Sequence, residues 1–278
     1  MHTGSADTEG QDEISPELAA ALEPLRSDPA HAAILCDLDG TLAPIADRPE
    51  AAAVPDATRE VLRALARRYA LVAIVTGRRA AQAREMVGLD DLTYSGNHGF
   101  EVLPPGAGDP VPDPALNGHT EDVSRFVAGL DRAELERIGF RIEDKGAIFA
   151  LHWRQAGNQG EAEARASEIE SDAEWNGLVP RFGRKVLEIR PDVSIDKGIA
   201  VQSLLHDDRL SAALYGGDDR TDADAFRALH GLRDAGRLTA AVAVAVASEE
   251  APPEVLTEAD HLVEGTEGYL QVLQHLAS

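Results

Sequence analysis

The sequence predicts an α/β protein, a doubly wound parallel sheet into which a smaller α+β domain is inserted. Short apolar runs of strand length alternate with segments of helical periodicity in both the first and the last third of the chain. Between about Pro104 and Arg190 this alternation gives way to dense proline and glycine, helices and a hairpin pattern. We therefore expect an N-terminal extension, a sheet domain in two segments and an inserted domain, at residues 1–30, 31–113 with 191–278, and 114–190, respectively.

Each predicted element follows from the position of apolar runs and turn residues. Ser15 is placed to cap a short first helix, with Pro16 in its first turn. In the sheet domain, we expect strands at Ala32–Cys36, Leu71–Val75, Leu92–Ser95, Ala212–Tyr215, Ala240–Ala247 and His261–Val263. Helices are expected from about Pro55 and at Ala80–Val87, Gly198–Leu205, Asp222–Leu229 and Tyr269–Leu276. The insert should hold helices Gly118–Leu130 and Glu161–Trp175 and strands Arg141–Glu143, Ala147–Arg154, Arg181–Phe182 and Val186–Arg190.

Composition and charge limit what the protein does. Of the 278 residues, 44% are hydrophobic, which is enough for a sizeable core. The longest apolar run, Ala240–Ala247, is too short to span a bilayer. The polar, acidic start does not resemble a signal peptide, and the single Cys36 excludes internal disulfides, so we expect a cytoplasmic protein. A formal net charge of −23 disfavours nucleic acid and anionic membranes, and both a salt-rich cytoplasm and a high-GC genome account for it.

The first chemical signal is Asp37-Leu38-Asp39-Gly40-Thr41, directly after the first predicted strand. Open α/β sheets bind ligands at the carboxyl ends of their strands, and a spacing of two puts Asp37 and Asp39 on one side of an extended chain. Two carboxylates held together repel, so a metal cation or a shared proton is expected there. A carboxylate can also act as a nucleophile and form an aspartyl-phosphate. The alternative is a plain strand end followed by an Asp-Gly turn.

A second acidic pair, Asp218 and Asp219, follows the strand that ends at Tyr215. If the two strands are neighbours in a parallel sheet, this pair lies close to Asp37 and Asp39. Clustered carboxylates beside a substrate phosphate suit Mg²⁺. An Asx-turn that leads into the next helix, capped by Thr221 or Asp222, explains part of the same segment.

Two further signals are weak when taken alone. Thr76-Gly77-Arg78 follows the second strand, where a hydroxyl and nearby amides can bind a phosphoryl oxygen. Lys197 opens a helix, which is an unfavourable place for a cation unless a phosphate lies nearby. The chain has 23 arginines but only three lysines, and these fall in strand-end, hairpin or helix-start segments: Lys145, Lys185 and Lys197. A lysine is expected at such positions where a site needs the compact charge of an ammonium group, which the planar guanidinium of arginine does not imitate.

These motifs, in this order, resemble those of the haloacid dehalogenase superfamily of phosphohydrolases, and the insert resembles the C2-type cap of that superfamily. Within it, four stretches are similar to the trehalose-6-phosphate phosphatase family: Asp37 to Ile45, Thr76 to Arg78, Gly96 to Glu101 and Gly217 to Phe226. The cap stretches from Glu143 to Arg154 and from Gly183 to Pro191 are similar too. The resemblance covers nearly all of Ile34–Leu276 and implies a Rossmann-like core with an inserted cap.

The resemblance further implies a Mg²⁺-dependent phosphatase that releases trehalose from trehalose 6-phosphate through an aspartyl-phosphate. Asp37 would be the nucleophile, and Asp39 would protonate the leaving sugar oxygen and later activate water. Thr76 and Lys197 would hold the phosphoryl oxygens. The implied metal ligands are Asp37, the backbone carbonyl of Asp39, and Asp218 with Asp219 in support.

Polar residues of both core and cap are expected to meet the sugar, since closure around it would exclude water. The candidates are Gly77, Arg78, Asn97, His98, Glu101, Glu143, Lys145, Lys185 and Glu188. Two alternatives stay open: the same chemistry on sucrose phosphate or a glycosyl-phosphoglycerate, and a catalytically silent domain that binds sugar phosphate as a regulator. We expect a small-molecule sugar phosphate as the partner, no nucleic acid and no membrane. The family also implies a functional link to a trehalose-6-phosphate synthase.

Overall fold

A computed structural model describes residues 14–45, 52–183, 185–248 and 252–278. In chain order its strands are β1 Ala32–Cys36, β2 Leu71–Val75, β3 Thr93–Gly96, β4 Glu101–Leu103, β5 Val111–Pro112, β6 Arg141–Asp144, β7 Phe149–His152, β8 Leu178–Gly183, β9 Val186–Pro191, β10 Ala212–Gly217, β11 Ala240–Ala247 and β12 His261–Glu264. The helices are α1 Pro16–Ser27, α2 Asp56–Arg68, α3 Ala80–Val87, α4 Thr120–Ala128, α5 Arg132–Ile138, α6 Gln159–Trp175, α7 Lys197–Leu204, α8 Asp222–Asp234, α9 Pro253–Glu258 and α10 Gly265–Ala277.

The main sheet has eight strands in the order β12-β11-β10-β1-β2-β3-β4-β5. The first six are parallel, which confirms the predicted α/β class, and β1 lies between β10 and β2. The loops that follow these three strands therefore meet at one edge of the sheet. The antiparallel strands β4 and β5 were not predicted, because their segment is short and leads into the proline- and glycine-rich stretch.

Both faces of the main sheet are covered, as continuous apolar parallel strands require. One face packs against α2, α3 and α10 and also against α1, whose side chains Leu18, Leu22 and Leu25 are buried. The Ser15 hydroxyl oxygen accepts a hydrogen bond from Leu18 N at 3.2 Å, as expected for the cap. The predicted extension thus contributes to the core, although its first 13 residues lie outside the described part.

The insert forms a four-stranded antiparallel sheet, β6-β7-β9-β8, with α4, α5 and α6 packed on it. The helix predicted near Gly118–Leu130 is α4, which spans Thr120–Ala128. Helix α5 was not predicted, and Asp131 caps it by accepting a hydrogen bond from Glu134 N at 3.1 Å. A small apolar cluster joins insert and core: Phe100, Leu116, Ala147, Ile148 and Ile195. Among the described residues, no helix is long and apolar enough to cross a membrane.

Candidate active site

The acidic loop after β1 is held in place by its backbone. Asp37 N donates to Gly216 O at 2.8 Å, so this residue continues the ladder between β1 and β10. Gly40 has a φ of +89°, and a Cβ added there would lie 2.1 Å from Oδ2 of Asp218. A side chain at position 40 would therefore push away the second acidic loop, and glycine brings the two loops together. The predicted meeting of the Asp37 and Asp218 segments is seen in the structure.

Lys197 lies at the centre of the site. Its side chain is only 1% exposed, and Nζ donates to Oδ1 of Asp37 and to Oδ1 of Asp222, each at 2.7 Å. Burial opposes its charge, but Asp219, Asp222 and Asp37 together keep the pKa of Lys197 well above its ordinary value. The lysine is therefore a fixed, buried cation beside the nucleophile candidate.

The three buried carboxylates Asp37, Asp218 and Asp222 have oxygens within 4.8 Å of one another. Burial raises the pKa of Asp37 above its ordinary range, with Lys197 acting in the opposite direction. Burial, with Asp222 and Asp219 nearby, raises the pKa of Asp218 to about 7. Such strained ionisation is what a divalent cation between the carboxylates would relieve.

Asp222 anchors the site and was not predicted as a site residue. Its Oδ1 accepts from Lys197 and from the Tyr215 hydroxyl at 2.7 Å, and its Oδ2 accepts from the backbone N–H groups of Asp218 and Asp219 at 3.0 and 2.9 Å. Both oxygens are thus engaged within the protein. Asp222 does not act as the cap to which the sequence assigned it, and it holds the lysine and the acidic loop together.

Asp218 and Asp219 are bound differently within their loop. Oδ1 of Asp218 accepts from the Thr41 hydroxyl at 3.0 Å, which leaves its other oxygen for a ligand. Oδ1 of Asp219 accepts from the backbone N–H and hydroxyl of Thr221. Burial raises the pKa of Asp219, but Lys197 and the Thr221 hydrogen bond outweigh it and lower that pKa. Asp218, which has a carboxylate oxygen within 4.8 Å of one of Asp37 in the buried cluster, is the better placed of the two for direct coordination.

The loop after β2 brings Thr76 and Arg78 to the same edge. Thr76 is buried, and its Oγ1 accepts from Arg78 N at 3.1 Å. The loop is braced by Asn97 N, which donates to Arg78 O at 2.7 Å, and by His98 N, which donates to Thr76 O at 2.9 Å. A Cβ on Gly77 would lie 2.6 Å from Nε2 of His98, so the ring packs directly on this glycine.

Arg78, expected to contact substrate, forms a two-pronged ion pair with Asp39. Its Nε donates to Oδ2 and its Nη2 to Oδ1 of the carboxylate, both at 2.6 Å. The Arg78 side chain is 12% exposed and that of Asp39 37%. Both residues still line the cavity described below, so Arg78 connects the phosphate-loop candidate to the acid–base candidate.

Asn97 and His98 are consecutive non-glycine residues in the left-handed region, with φ of 51° and 60°. The Asn97 side-chain amide donates to Lys145 O of the insert at 2.9 Å. Burial, with Arg190 nearby, lowers the pKa of His98 to about 3, so its ring is neutral. Oδ1 of Asn97 and Nδ1 of His98 are buried without a hydrogen-bond partner among the described residues. Unpaired buried polar atoms of this kind are costly unless a ligand or water meets them.

The insert faces the core with paired charges. Nζ of Lys145 donates to Glu188 at 2.9 Å, and Arg190 pairs with the same carboxylate. Burial raises the pKa of Glu188, but Lys145 and Arg190 prevail and lower it to about 2. Glu143 pairs with Nε2 of His152 at 2.9 Å, and this bond is the main cause of its lowered pKa. Sequence analysis did not name His152 and Arg190 as site residues, although both lie in the cap stretches that resemble the family.

Two predicted sugar-binding residues have protein partners and are not among the residues that line the cavity described below. Glu101 accepts a hydrogen bond from Ala80 N at 2.7 Å and so holds the start of α3. Lys185 has a φ of 62° in the turn between β8 and β9, where it pairs with Glu163 of α6. Sugar contact by either residue stays a prediction.

One cavity of about 430 Å³ collects the remaining groups at the junction of core and insert. The core contributes Asp37, Asp39, Ile45, Ala52, Thr76, Gly77, Arg78, Gln82, His98, Lys197 and Asp219. The insert contributes Arg141, Glu143, Lys145, His152 and Glu188. Asn97 and Asp218 are buried and are not among the lining residues. A polar ligand with an anionic end would face Lys197 on one side and hydrogen-bonding groups of the insert on the other.

A model of the trehalose-phosphatase family matches residues 35–259, which include every core motif described above. The chain belongs to the trehalose-phosphatase family. One family relative is a trehalose-phosphate phosphatase of Mycolicibacterium paratuberculosis, 36% identical over 72% of this chain and 52% of the relative. A Mycobacterium tuberculosis protein described as an uncharacterized glycosyl hydrolase is 36% identical over 71% of this chain but only 15% of its own length. The chain therefore spans only part of these relatives.

The trehalose-phosphatase fold is also found by comparison of structures. The C-terminal domain of C. albicans trehalose-6-phosphate phosphatase superposes with a TM-score of 0.73 at 22% identity, covering 94% of this chain and 96% of that domain. At this identity the likeness shows the fold alone. It confirms the parallel-sheet core with a cap that the sequence predicts.

Proposed function

We propose that this protein is a Mg²⁺-dependent phosphatase that hydrolyses trehalose 6-phosphate to trehalose and phosphate through an aspartyl-phosphate. The observation that carries the proposal is the buried Lys197, hydrogen-bonded to Asp37 at 2.7 Å in a cavity that also holds Asp39 and the Thr76 loop. Membership of the trehalose-phosphatase family supports the substrate. A cytoplasmic location and a functional link to a trehalose-6-phosphate synthase belong to the same proposal.

The reaction has two halves. In the first, a carboxylate oxygen of Asp37 attacks phosphorus, an O–P bond forms, the bond from phosphorus to the sugar oxygen breaks, and Asp39 gives that oxygen a proton. In the second, a water oxygen attacks the same phosphorus, Asp39 takes a proton from the water, and the bond to Asp37 breaks to release phosphate. Covalent catalysis of this kind divides one difficult step into two easier ones.

Lys197 and Thr76 supply most of the positioning. Phosphoryl transfer depends chiefly on placement and on neutralising charge over the phosphoryl oxygens. Lys197 is buried and carries its charge next to Asp37, so it needs no reorganisation when the phosphoryl group arrives. The net charge of −23 would otherwise repel a dianionic substrate, and a local cation offsets that field.

The donor set fits a hard divalent cation. Asp37 and Asp218 each have a carboxylate oxygen in the buried cluster, and the strained ionisation of Asp218 is what such an ion relieves. Asp37 and Asp218 would hold Mg²⁺ together with the backbone carbonyl of Asp39, with Asp219 in support. Both carboxylate oxygens of Asp222 already accept hydrogen bonds, four in all. When bound, the ion would supply charge neutralisation for the phosphoryl group.

The sugar would meet His98 from the core and Glu143, Lys145 and Glu188 from the insert. All four side chains line the cavity. Lys145 pairs with Glu188, and Glu143 pairs with His152, so these groups can exchange an ion pair for sugar hydroxyls. Sucrose phosphate and glycosyl-phosphoglycerates present similar hydroxyls and are the competing substrates. A silent regulatory domain is disfavoured because Asp37, Asp39 and Lys197 are all in place.

A phosphate-release assay over a panel of sugar phosphates, with Mg²⁺ and with EDTA, tests the proposal. Trehalose 6-phosphate should give the highest kcat/KM, EDTA should remove activity, and added Mg²⁺ should restore it. Asp37→Asn should abolish turnover in a folded protein, because the amide has the same shape but cannot attack. Turnover by Asp37→Asn within tenfold of the unsubstituted protein, or full activity in metal-free protein, would overturn the mechanism.

A further inference from the structure

Among the described residues, Asp39 forms a side-chain ion pair with Arg78 that the Asp-x-Asp motif does not predict. Nε and Nη2 of the guanidinium each lie 2.6 Å from a different oxygen of the Asp39 carboxylate. A planar fork that meets both oxygens fixes the rotation of the carboxylate as well as its position. A surface pair between flexible side chains would fix neither.

Both partners stand on braced backbone. Arg78 N donates to Oγ1 of Thr76 at 3.1 Å, and Arg78 O accepts from Asn97 N at 2.7 Å. Beside Asp39, the turn is closed by Gly40 N, which donates to Ala43 O at 2.7 Å. The Arg78 side chain is 12% exposed. The guanidinium therefore presents a fixed surface against which the carboxylate is set.

We propose that Arg78 is a positioning residue for Asp39 and that it acts mainly in the second half-reaction, the hydrolysis of the phosphoenzyme. This inference rests on the proposed function. In the first half-reaction Asp39 must carry a proton on one oxygen, which cannot then accept fully from the guanidinium. In the second half-reaction Asp39 is a carboxylate, so it can keep both hydrogen bonds to Arg78 while a remaining lone pair takes the proton of water.

A substrate-contact role for Arg78, which the sequence suggested, gives a different result. If Arg78 bound the sugar, its loss would raise KM for a sugar phosphate and leave a small aryl phosphate nearly unaffected. If it positions Asp39, both substrates suffer, and the loss appears in kcat. An aryl phosphate with a good leaving group isolates the second half-reaction, because its departure needs no proton from Asp39.

The experiment compares Arg78→Gln and Arg78→Lys with Arg79→Gln, the neighbouring exposed arginine outside the cavity, as the matched control. Each folded variant, verified by circular dichroism, turns over p-nitrophenyl phosphate and trehalose 6-phosphate. Rapid acid quench with radiolabelled aryl phosphate measures the fraction of protein that carries phosphate. Asp39→Asn is the reference for blocked hydrolysis, and Asp37→Asn is the reference for no phosphoenzyme.

We expect Arg78→Gln to lower kcat about tenfold on both substrates, an ordinary effect of lost alignment, and to raise the phosphoenzyme fraction above that of the Arg79→Gln control. Arg78→Lys should recover less than half of the loss, since it keeps the charge without the fork. The positioning role alone is overturned if Arg78→Gln only raises KM for the sugar phosphate. It is also overturned if Asp39→Asn accumulates phosphoenzyme and Arg78→Gln does not. Absence of phosphoenzyme in Asp39→Asn overturns the proposed covalent mechanism instead, and this inference with it.

Discussion

The two sides of the cavity are built in different ways. On the core side, Lys197, Asp37 and Asp222 have side chains that are 1%, 6% and 0% exposed and bonded to one another. On the insert side, Lys145 and Glu188 are each 13% exposed, and Glu143 with His152 are 26% exposed. Core groups are locked by backbone as well as side-chain bonds, whereas insert groups are held mainly by exchangeable ion pairs.

This difference separates two tasks. Under the proposed function, phosphoryl transfer needs charges that do not reorganise, and the core would provide them through buried, mutually bonded groups. Recognition of a sugar needs groups that give up one hydrogen bond and accept another, and the more exposed pairs of the insert would do this at lower cost because water already competes for them. Substitutions on the core side should therefore affect every substrate, and those on the insert side only substrates that carry a sugar.

The strongest test of the core side removes its buried cation. Lys197→Met should lower kcat about a thousandfold on trehalose 6-phosphate and on p-nitrophenyl phosphate alike, because both present the phosphoryl group. Steady-state kinetics on the two substrates measure this. Arg209→Met, at an arginine that is 83% exposed, is the matched loss of a cation and should leave both rates unchanged.

Loss of folding in Lys197→Met would obscure this result, since the substitution leaves Asp37 and Asp222 buried without their cation. Lys197→Arg keeps a charge and should fold, yet it should still lose most activity because the guanidinium cannot fit the position of the ammonium between the two carboxylates. A sugar-specific loss in either variant would contradict the division of tasks between core and insert.

The two sides should also respond to pH with opposite signs. Asp218 has a pKa raised from 3.8 to about 7, so its contribution to stability is present below pH 3.8 and is lost as pH rises through 7. Glu188 has a pKa lowered from 4.5 to about 2, so its contribution is present above pH 4.5 and is lost as pH falls towards 2. The Glu188 shift corresponds to roughly 3 kcal/mol between its limits.

Unfolding by urea in EDTA, repeated across this pH range, measures both contributions. Asp218→Asn should remove the loss of stability between pH 4 and 7, and Glu188→Gln should flatten the acid limb between pH 4.5 and 2. If both substitutions changed the pH dependence of the free energy of unfolding in the same direction, the core and insert carboxylates would not lie in contrasting environments. Added Mg²⁺ should abolish the effect at Asp218 alone.

The dependence of activity on Mg²⁺ distinguishes the roles of Asp218 and Asp219 within the core. Asp218→Asn should raise the Mg²⁺ concentration for half-maximal activity by about a hundredfold and Asp219→Asn by about tenfold, in the range typical of direct and supporting ligands. The reason is that Asp218 belongs to the buried carboxylate cluster with Asp37, whereas Asp219 is engaged by Thr221 at its edge. Mg²⁺ titration of phosphatase activity tests the order, and a reversed order would exchange the two roles.

The sequence predicts the core side of this site well because each group carries its own local signal. Asp37, Thr76 and Asp218 follow apolar runs that form the adjacent strands β1, β2 and β10, so a parallel sheet brings them together without further information. The same logic fails for contacts made across the chain. Nothing local indicates that Arg78 reaches Asp39, or that Asp222 receives four hydrogen bonds.

The insert is harder to predict because its strands are half-exposed and antiparallel. There, local contacts decide where a lysine side chain lies: Lys145 follows β6 and lines the cavity, whereas Lys185 lies in the turn between β8 and β9 and pairs with Glu163 of α6. Both lysines share a hairpin signature in the sequence. Helix α5 was not predicted, since it is only seven residues long and its Asp131 cap is a weak signal.

The finest test uses these two insert lysines as a matched pair. Lys145→Met should lower kcat/KM for trehalose 6-phosphate by tenfold to a hundredfold, about 1.4 to 2.7 kcal/mol of transition-state binding. It should barely change hydrolysis of p-nitrophenyl phosphate, which offers the insert no hydroxyls. Lys185→Met should change neither, because this side chain lies outside the cavity and pairs with Glu163.

Equal losses on both substrates for Lys145→Met would assign that lysine to the phosphate or to the fold. A sugar-specific loss for Lys185→Met would mean that the insert moves on substrate binding far enough to bring its distal turn to the sugar.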